Sequence, residues 1–356
     1  MLFRSDIPIR ALVIQSRHEG VSHKVIIVVH HIVCDAISLG ILTAEFFSLV
    51  TGQTLPEVKS SFADYRLLSR ASQTEEATRR NQAYWLGNLL PLPAPLQLPV
   101  THDQDPVLSQ DSSRGCTRNR LLPLHTGTQV RELCSELGVP VFTFFLGTFS
   151  LLLARIARCD SFLLGVPVTG RTRPEDLAVV GYLVNMLALK VEVDAELTFA
   201  EHLLTLHGQW SDSAPYQTYP MSTLLDDLRT EAYCRGRAGR HPLFDVLFNF
   251  LPRELCGANE RWPSGFGRID LTGATATFDM VLEVAQEGES FNCTVEYRQE
   301  AFDEAAILIM LESYHALADE VLAGPDMPVG SFQILDPGDR RSAEQAAIDV
   351  DLEFRF

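Results

Sequence analysis

No stretch of this chain is apolar for long enough to cross a membrane. The most apolar run, Val141 to Ala154 (VFTFFLGTFSLLLA), falls short of a span of about 20 residues and is followed by Arg155 and Arg158, so it reads as a buried core helix. The first residues carry Arg4, Asp6 and Arg10 and lack a long apolar segment, so no signal peptide is expected. Positive charge is scarce. Lys and Arg number 29 against 46 Asp and Glu, a net charge of −17, which argues against nucleic acid as a partner because a phosphate backbone needs a basic footprint. Any docking of an acidic partner would need a local basic patch. The seven cysteines (Cys34, Cys116, Cys134, Cys159, Cys234, Cys256, Cys293) are scattered, odd in number and without a CxxC pair, so neither a zinc site nor a disulfide framework is indicated. These absences describe a cytoplasmic protein with no membrane and no nucleic-acid partner.

Apolar residues make up 46% of the 356 and charged residues 21%, enough for a sizeable core in one large domain or two lobes. Ile9 to Arg17 and Lys24 to His30 read as strands joined by a hairpin loop at 18–22. The second run, closed by two histidines, is apolar throughout and predicts a buried strand. From Asp35 the spacing turns helical, with Ile37, Ile41, Ala44 and Leu49 on one side and Gly52 as a stop. A long helix is expected from about Ser72 to Leu90. The alternating prolines of 91–99 then end it in extended geometry, and the polar residues beyond make 91–116 the best interlobe linker. Further on, helices are expected at 127–137, 140–157, 199–210, 222–229 and 305–322. Strands are expected at 161–168, 244–250, 275–284 and 291–297. Strands and helices mixed in two halves imply an α/β fold of two sandwich lobes: residues 1–90, then 117–335, with a C-terminal tail at 336–356.

The most informative residues are His30-His31-Ile32-Val33-Cys34-Asp35. Placed on a strand, adjacent histidines would point to opposite faces, so only one could enter a given cleft. An aspartate four residues after the second could orient that imidazole or brace its loop. One positioned imidazole suits acyl transfer, where it manages the proton of an attacking amine or alcohol. The same residues are also compatible with a satisfied structural histidine, or with a metal, since His and Asp are both ligands.

This segment resembles the HHxxxDG signature of condensation domains in nonribosomal peptide synthetases and the wider superfamily of chloramphenicol acetyltransferase, with Ala36 in place of the glycine. Other segments match in order. Ser61-Phe62-Ala63-Asp64-Tyr65 resembles the YxDYA region, without its later tryptophan, and Tyr84-Trp85 the pair that follows. Gly181-Tyr182-Leu183-Val184-Asn185 is similar to GxFVN and Gln217-Thr218-Tyr219-Pro220 to QDYPF. Arg240-His241-Pro242-Leu243-Phe244 is similar to RNPLF, with Phe248-Asn249-Phe250 after it. Each is weak alone; their order over residues 9–325 is specific.

The resemblance implies two chloramphenicol-acetyltransferase-like lobes with a tunnel between them and His31 at its centre. The first lobe would be truncated, since only thirty residues precede His31 and the family's RHExLR motif is missing; strands beside Lys24–His30 would then lack neighbours. It implies His31 as the catalytic residue, and a structural salt bridge between Asp35 and Arg171, which suits a bidentate carboxylate contact. His30 would pack away from the site. His30, if it does not pack, and Ala36, Asn185 and Gln217 are candidate residues lining the tunnel or site. The reaction implied is amide, less often ester, formation from an acyl donor on a carrier protein. No metal or nucleotide of its own is implied, only the phosphopantetheine arm of acyl or peptidyl carrier proteins, with an adenylation domain or polyketide synthase modules as further partners. Two alternatives stand beside it: a free-standing acyltransferase using CoA, and a non-catalytic remnant that at most binds carrier proteins.

Overall fold

The apolar run that cannot span a membrane forms the centre of the larger of two compact units. In the computed structural model, which describes residues 7–15, 24–99, 114–228, 240–252 and 275–333, this run lies in helix α5 (Val141–Ala157), whose residues from Thr143 to Ala154 are all buried. Among the described residues no single helix is long and apolar enough to cross a membrane.

The larger unit comprises Thr78–Val168 and the described residues from Asn185 onward. Its strands are β3 (Gly115–Leu121), β4 (Ser161–Val168), β5 (Asn185–Glu192), β6 (Val246–Leu251), β7 (Met280–Glu287) and β8 (Ser290–Arg298). They form one sheet in the order β3-β8-β7-β6-β4-β5. The pairings β3–β8, β8–β7 and β4–β5 are antiparallel; β7–β6 and β6–β4 are parallel. The alternating burial of β7 and β8 shows one face covered, with Leu282, Val284, Cys293 and Val295 inward. Helices α4 (Leu124–Leu137), α5, α6 (Phe199–Ser213) and α8 (Glu304–Ala323) contribute the residues that share that core, among them Val130, Phe149, Leu203 and Tyr314. Gly147 lets α5 and α6 approach closely, because a Cβ there would overlap Leu203 Cδ2. A second cluster holds Trp85, Leu89, Leu163, Leu187, Tyr219, Leu224 and Phe244. It joins α3 (Glu75–Leu89) and the short α7 (Met221–Asp227) to the sheet.

The smaller unit comprises the described residues up to Ala77 together with Thr169–Val184. It contains the antiparallel pair β1 (Ile9–Ile14) and β2 (Lys24–Val29), helix α1 (Ala36–Val50) and helix α2 (Phe62–Ser72). The division therefore differs from the expected 1–90 and 117–335. Helix α3 goes with the larger unit because Trp85 and Leu89 are buried there, Trp85 Nε1 donates to the Tyr216 carbonyl (3.2 Å) and Gln82 Nε2 donates to Asp227 (2.7 Å). Residues 169–184 go with the smaller unit because Asp35 and Ser38 bind them. The linker is also shorter than 91–116: Leu96 and Leu98 pack on the larger core, and β3 begins at Gly115.

One further expectation is corrected. The run Lys24–Val29 is not a buried strand. Val25, Ile27 and Val28 are 40–46% exposed, because a two-stranded ribbon presents two faces and neither is covered among the described residues. The helix expected from about Ser72 to Leu90 is α3, and a separate helix that was not expected, α2, precedes it, started at Phe62 by a capping box between Ser61 and Asp64.

The larger core also encloses two histidines. His202 Nε2 lies 2.9 Å from Ser150 Oγ, whose own hydrogen goes to the Gly147 carbonyl, so the imidazole is the donor. Burial pushes His202 down to about 4, and burial together with the nearby Arg120 pushes His315 to about 4. An unfolded histidine takes a proton near pH 6.5. Between these values the unfolded chain binds more protons than the folded one, so stability falls as pH drops from about 6.5 toward 4. Urea midpoints measured across that range should decline steadily, and less steeply in His202→Gln; an unchanged slope in that variant would exclude His202 as a source.

Candidate active site

Strand β2 ends at Val29, so the pleat does not place the two histidines. They sit in a single 3-10 turn, His31–Val33, and both are exposed. His30 caps this turn: its Nδ1 accepts from Ile32 N–H at 3.1 Å. His30 is exposed and does not pack into a core as expected; its N–H still donates to the Pro8 carbonyl (2.8 Å), and the turn begins at the next residue. His31 Nδ1 lies 2.7 Å from the Cys34 carbonyl. A carbonyl can only accept, so Nδ1 carries the hydrogen and the neutral ring presents a bare Nε2. Among the described residues Nε2 has no hydrogen-bond partner. The ring meets Tyr182 edge-on, centroids 5.2 Å apart.

Three residues after the turn begins the character of the site changes from exposed to withdrawn from water. Asp35 is the N-cap of α1, accepting from Ser38 N–H at 2.8 Å, where the helix dipole favours a negative charge. Its side chain and that of Arg171 are both fully buried and meet in a bidentate pair, Nη1 to Oδ2 at 2.8 Å and Nη2 to Oδ1 at 3.0 Å. The Leu183 N–H donates to Oδ2 at 3.1 Å. With Ser38 N–H this fills the four lone-pair positions of the carboxylate. Arg171 Nη2 also donates to Ser38 Oγ and the Val179 carbonyl, both at 3.0 Å. Ser38 Oγ accepts from Gly181 N–H (3.0 Å) and donates to the Gly181 carbonyl (2.8 Å).

Burial raises the Asp35 carboxyl, but the Arg171 guanidinium and the N–H groups of Ser38 and Leu183 outweigh it and hold the group below its ordinary value. Gly170, at φ 66°, completes the turn that delivers Arg171; a Cβ there would overlap the Leu183 carbonyl oxygen. Tyr65 of α2 donates to the Gly170 carbonyl at 3.2 Å.

The structure thus gathers His30, His31, Asp35, Ala36 and Arg171 in the smaller unit. Ala36 is the first residue of α1, exposed and at helical φ, so alanine carries no backbone strain there. Asn185 and Gln217 lie in the larger unit. Asn185 Nδ2 donates to the carbonyls of Gln217 (2.8 Å) and Tyr219 (2.7 Å), and Gln217 Nε2 donates to the Ala214 carbonyl (3.0 Å). Sequence reasoning missed Ser38 and Tyr182. Ser38 carries a signal, three residues after an N-cap aspartate; Tyr182 carries none beyond its place in the GYLVN segment.

Residues 2–343 match the family described as "Condensation domain". The chain belongs to the condensation-domain family. Its members act as acyltransferases that form amide bonds between carrier-bound substrates in nonribosomal peptide synthetases. This chain is 25% identical to surfactin synthase subunit 1 of Bacillus subtilis (strain 168) over 336 residues, covering 92% of this chain and 9% of that protein. It is 26% identical to tyrocidine synthase 3 of Brevibacillus parabrevis over 329 residues, covering 90% of this chain and 5% of that protein. The chain thus spans less than a tenth of the length of these relatives. Its fold is similar to the condensation domain from the Monacolin K polyketide synthase MokA, with a TM-score of 0.70, 20% identity and coverage of 86% of this chain and 71% of that one. It is also similar to the X-domain from teicoplanin biosynthesis, with a TM-score of 0.76, 16% identity and coverage of 93% and 75%.

A buried bidentate pair with every carboxylate position filled is costly to break from one side. Asp35→Ala and Arg171→Ala should each lose about 3–5 kcal/mol of unfolding free energy. The double variant should lose clearly less than the two losses summed. Denaturant unfolding of the three variants checks this, and strict additivity would mean that the two side chains do not share an interaction.

Proposed function

We propose that this chain forms an amide, or less often an ester, by passing an acyl group from a carrier-protein thioester to an amine or hydroxyl acceptor. His31 is the catalytic residue. The observation that carries the reading is the tautomer: Nδ1–H is committed to the Cys34 carbonyl, leaving Nε2 bare on an exposed residue. As the acceptor nitrogen attacks the thioester carbonyl carbon, Nε2 takes the proton that nitrogen sheds. The tetrahedral intermediate then collapses, the carbon–sulfur bond breaks, and the imidazolium returns the proton to the departing thiolate. No acyl-enzyme is needed. If the amine arrives neutral, positioning is the larger part of the task.

The thioester belongs to the phosphopantetheine arm of a partner carrier protein, so this chain supplies no cofactor to the step. Acyl or peptidyl carrier proteins are the partners this reading requires. Adenylation or polyketide synthase modules are its natural neighbours, since carriers must be loaded. Asp35 and Arg171 support the site without touching substrate, because both side chains are fully buried and held to one another. Ala36 lines the site at the start of α1. Asn185 and Gln217 hold backbone within the larger unit, their side-chain amides bound to backbone carbonyls.

In a carrier-loaded condensation assay His31→Ala should lower the rate by about 10²–10⁴-fold while the melting temperature holds. His30→Ala should act mainly on stability, through the lost turn cap. Equal rates for His31→Ala and the unsubstituted chain would overturn the assignment.

A further inference from the structure

We infer that Tyr182 is a positioning residue for the His31 imidazole, held in place by the network that buries Asp35. This rests on the reading of His31 as the proton-handling group. Tyr182 sits between two residues whose backbones are both fixed. On one side the Gly181 carbonyl accepts from Asp35 N–H (3.2 Å) and from the Ser38 hydroxyl, while its N–H donates to Ser38 Oγ. On the other side Leu183 N–H donates to the Asp35 carboxylate. His31 lies four residues before Asp35, at the far end of the same turn. One buried carboxylate therefore sets both the imidazole and the ring that faces it.

The contact itself is edge-on, with centroids 5.2 Å apart and planes at 80°. Tyr182 adds little to a core: it is 42% exposed, and its hydroxyl has no hydrogen-bond partner among the described residues. A half-exposed ring on an immobilised backbone is a poor means of stabilising a fold and a good means of restricting a neighbour. The outer torsion of a histidine is broad. The bond from Nδ1 to the Cys34 carbonyl holds one edge of the imidazole, and Tyr182 closes off one side of it. Nε2 is thereby confined, and small displacements of a reacting group are expensive in rate. What matters is the aromatic ring, not the hydroxyl.

The full chain should be tested as Tyr182→Ala, Tyr182→Phe, His31→Ala and the double variant His31→Ala/Tyr182→Ala. In the condensation assay Tyr182→Ala should lower kcat by about 10–100-fold, with KM within about twofold and the melting temperature unchanged. Tyr182→Phe should recover most of that loss. The double variant should be no slower than His31→Ala alone, because Tyr182 acts only through the imidazole. Independently of turnover, the His31 ring-proton resonance, assigned by its disappearance in His31→Ala, should shift in Tyr182→Ala and stay near its original position in Tyr182→Phe. A resonance that does not move in Tyr182→Ala, an unchanged kcat, or a further loss on adding Tyr182→Ala to His31→Ala overturns the proposal while leaving the His31 assignment standing. Full activity in His31→Ala overturns that assignment and the proposal with it.

Discussion

Everything around the candidate site follows from one requirement: a carboxylate taken out of water must have its lone pairs answered. Asp35 presents four lone-pair positions, and each receives a donor: two from Arg171, one from the first turn of α1 and one from Leu183. Satisfying them draws together Asp35 and Arg171, 136 residues apart in sequence. A large apolar core is not needed for this, and the smaller unit does not build one at the site. Its buried set there is Cys34, Asp35, Ser38, Arg171, Val179 and Leu183, half of it polar. The geometry of the site is thus fixed by directional bonds, which set angles as well as proximity.

The larger unit is organised by the opposite principle. Its six-stranded sheet is covered by helices over a mainly aliphatic and aromatic core, with Phe144, Phe145, Phe149, Phe162, Phe199, Phe248 and Phe291 fully enclosed. Such a core tolerates shape changes better than a satisfied ionic network tolerates the loss of one partner. Some of the polar groups it encloses are answered by helix backbone. Thr148 returns its hydroxyl to its own helix, and Tyr314 donates to the Phe145 carbonyl.

Legibility in the sequence divides along the same line. Helix α5 was readable from composition alone, because fourteen consecutive residues without a charge leave little alternative in a chain of this charge. The pairing of Asp35 with Arg171 was readable only through the family resemblance, since nothing local links two residues so distant. Strands β3 (GCTRNRL) and β5 were not singled out. β3 carries two arginines and an asparagine, and its place in the sheet comes from register with β8, which only the assembled structure supplies. The burial expected of Lys24–Val29 failed because an apolar run reports what a segment can bury, not whether a second layer lies over it. The packing expected of His30 failed for a sharper reason: it carried a strand's periodicity into a 3-10 turn that begins at His31.

That failure changes the chemistry in a useful direction. On a strand, the orientation of His31 would have depended on the pleat, and its tautomer would have been undetermined. In a 3-10 turn the chain curls back so that the carbonyl of Cys34 comes within 2.7 Å of Nδ1, and the tautomer is settled by the turn itself. The next residue is Asp35, so the carbonyl that fixes the imidazole belongs to the peptide joining Cys34 to the buried carboxylate residue. Stability of the ion pair and orientation of the histidine are therefore not separate properties. The same logic explains how alanine is accommodated after Asp35. Once Asp35 caps α1, the following residue takes ordinary helical φ, and the freedom of a glycine is not used. Any consequence of Ala36 must then come from the volume of its methyl group, not from the backbone that carries it.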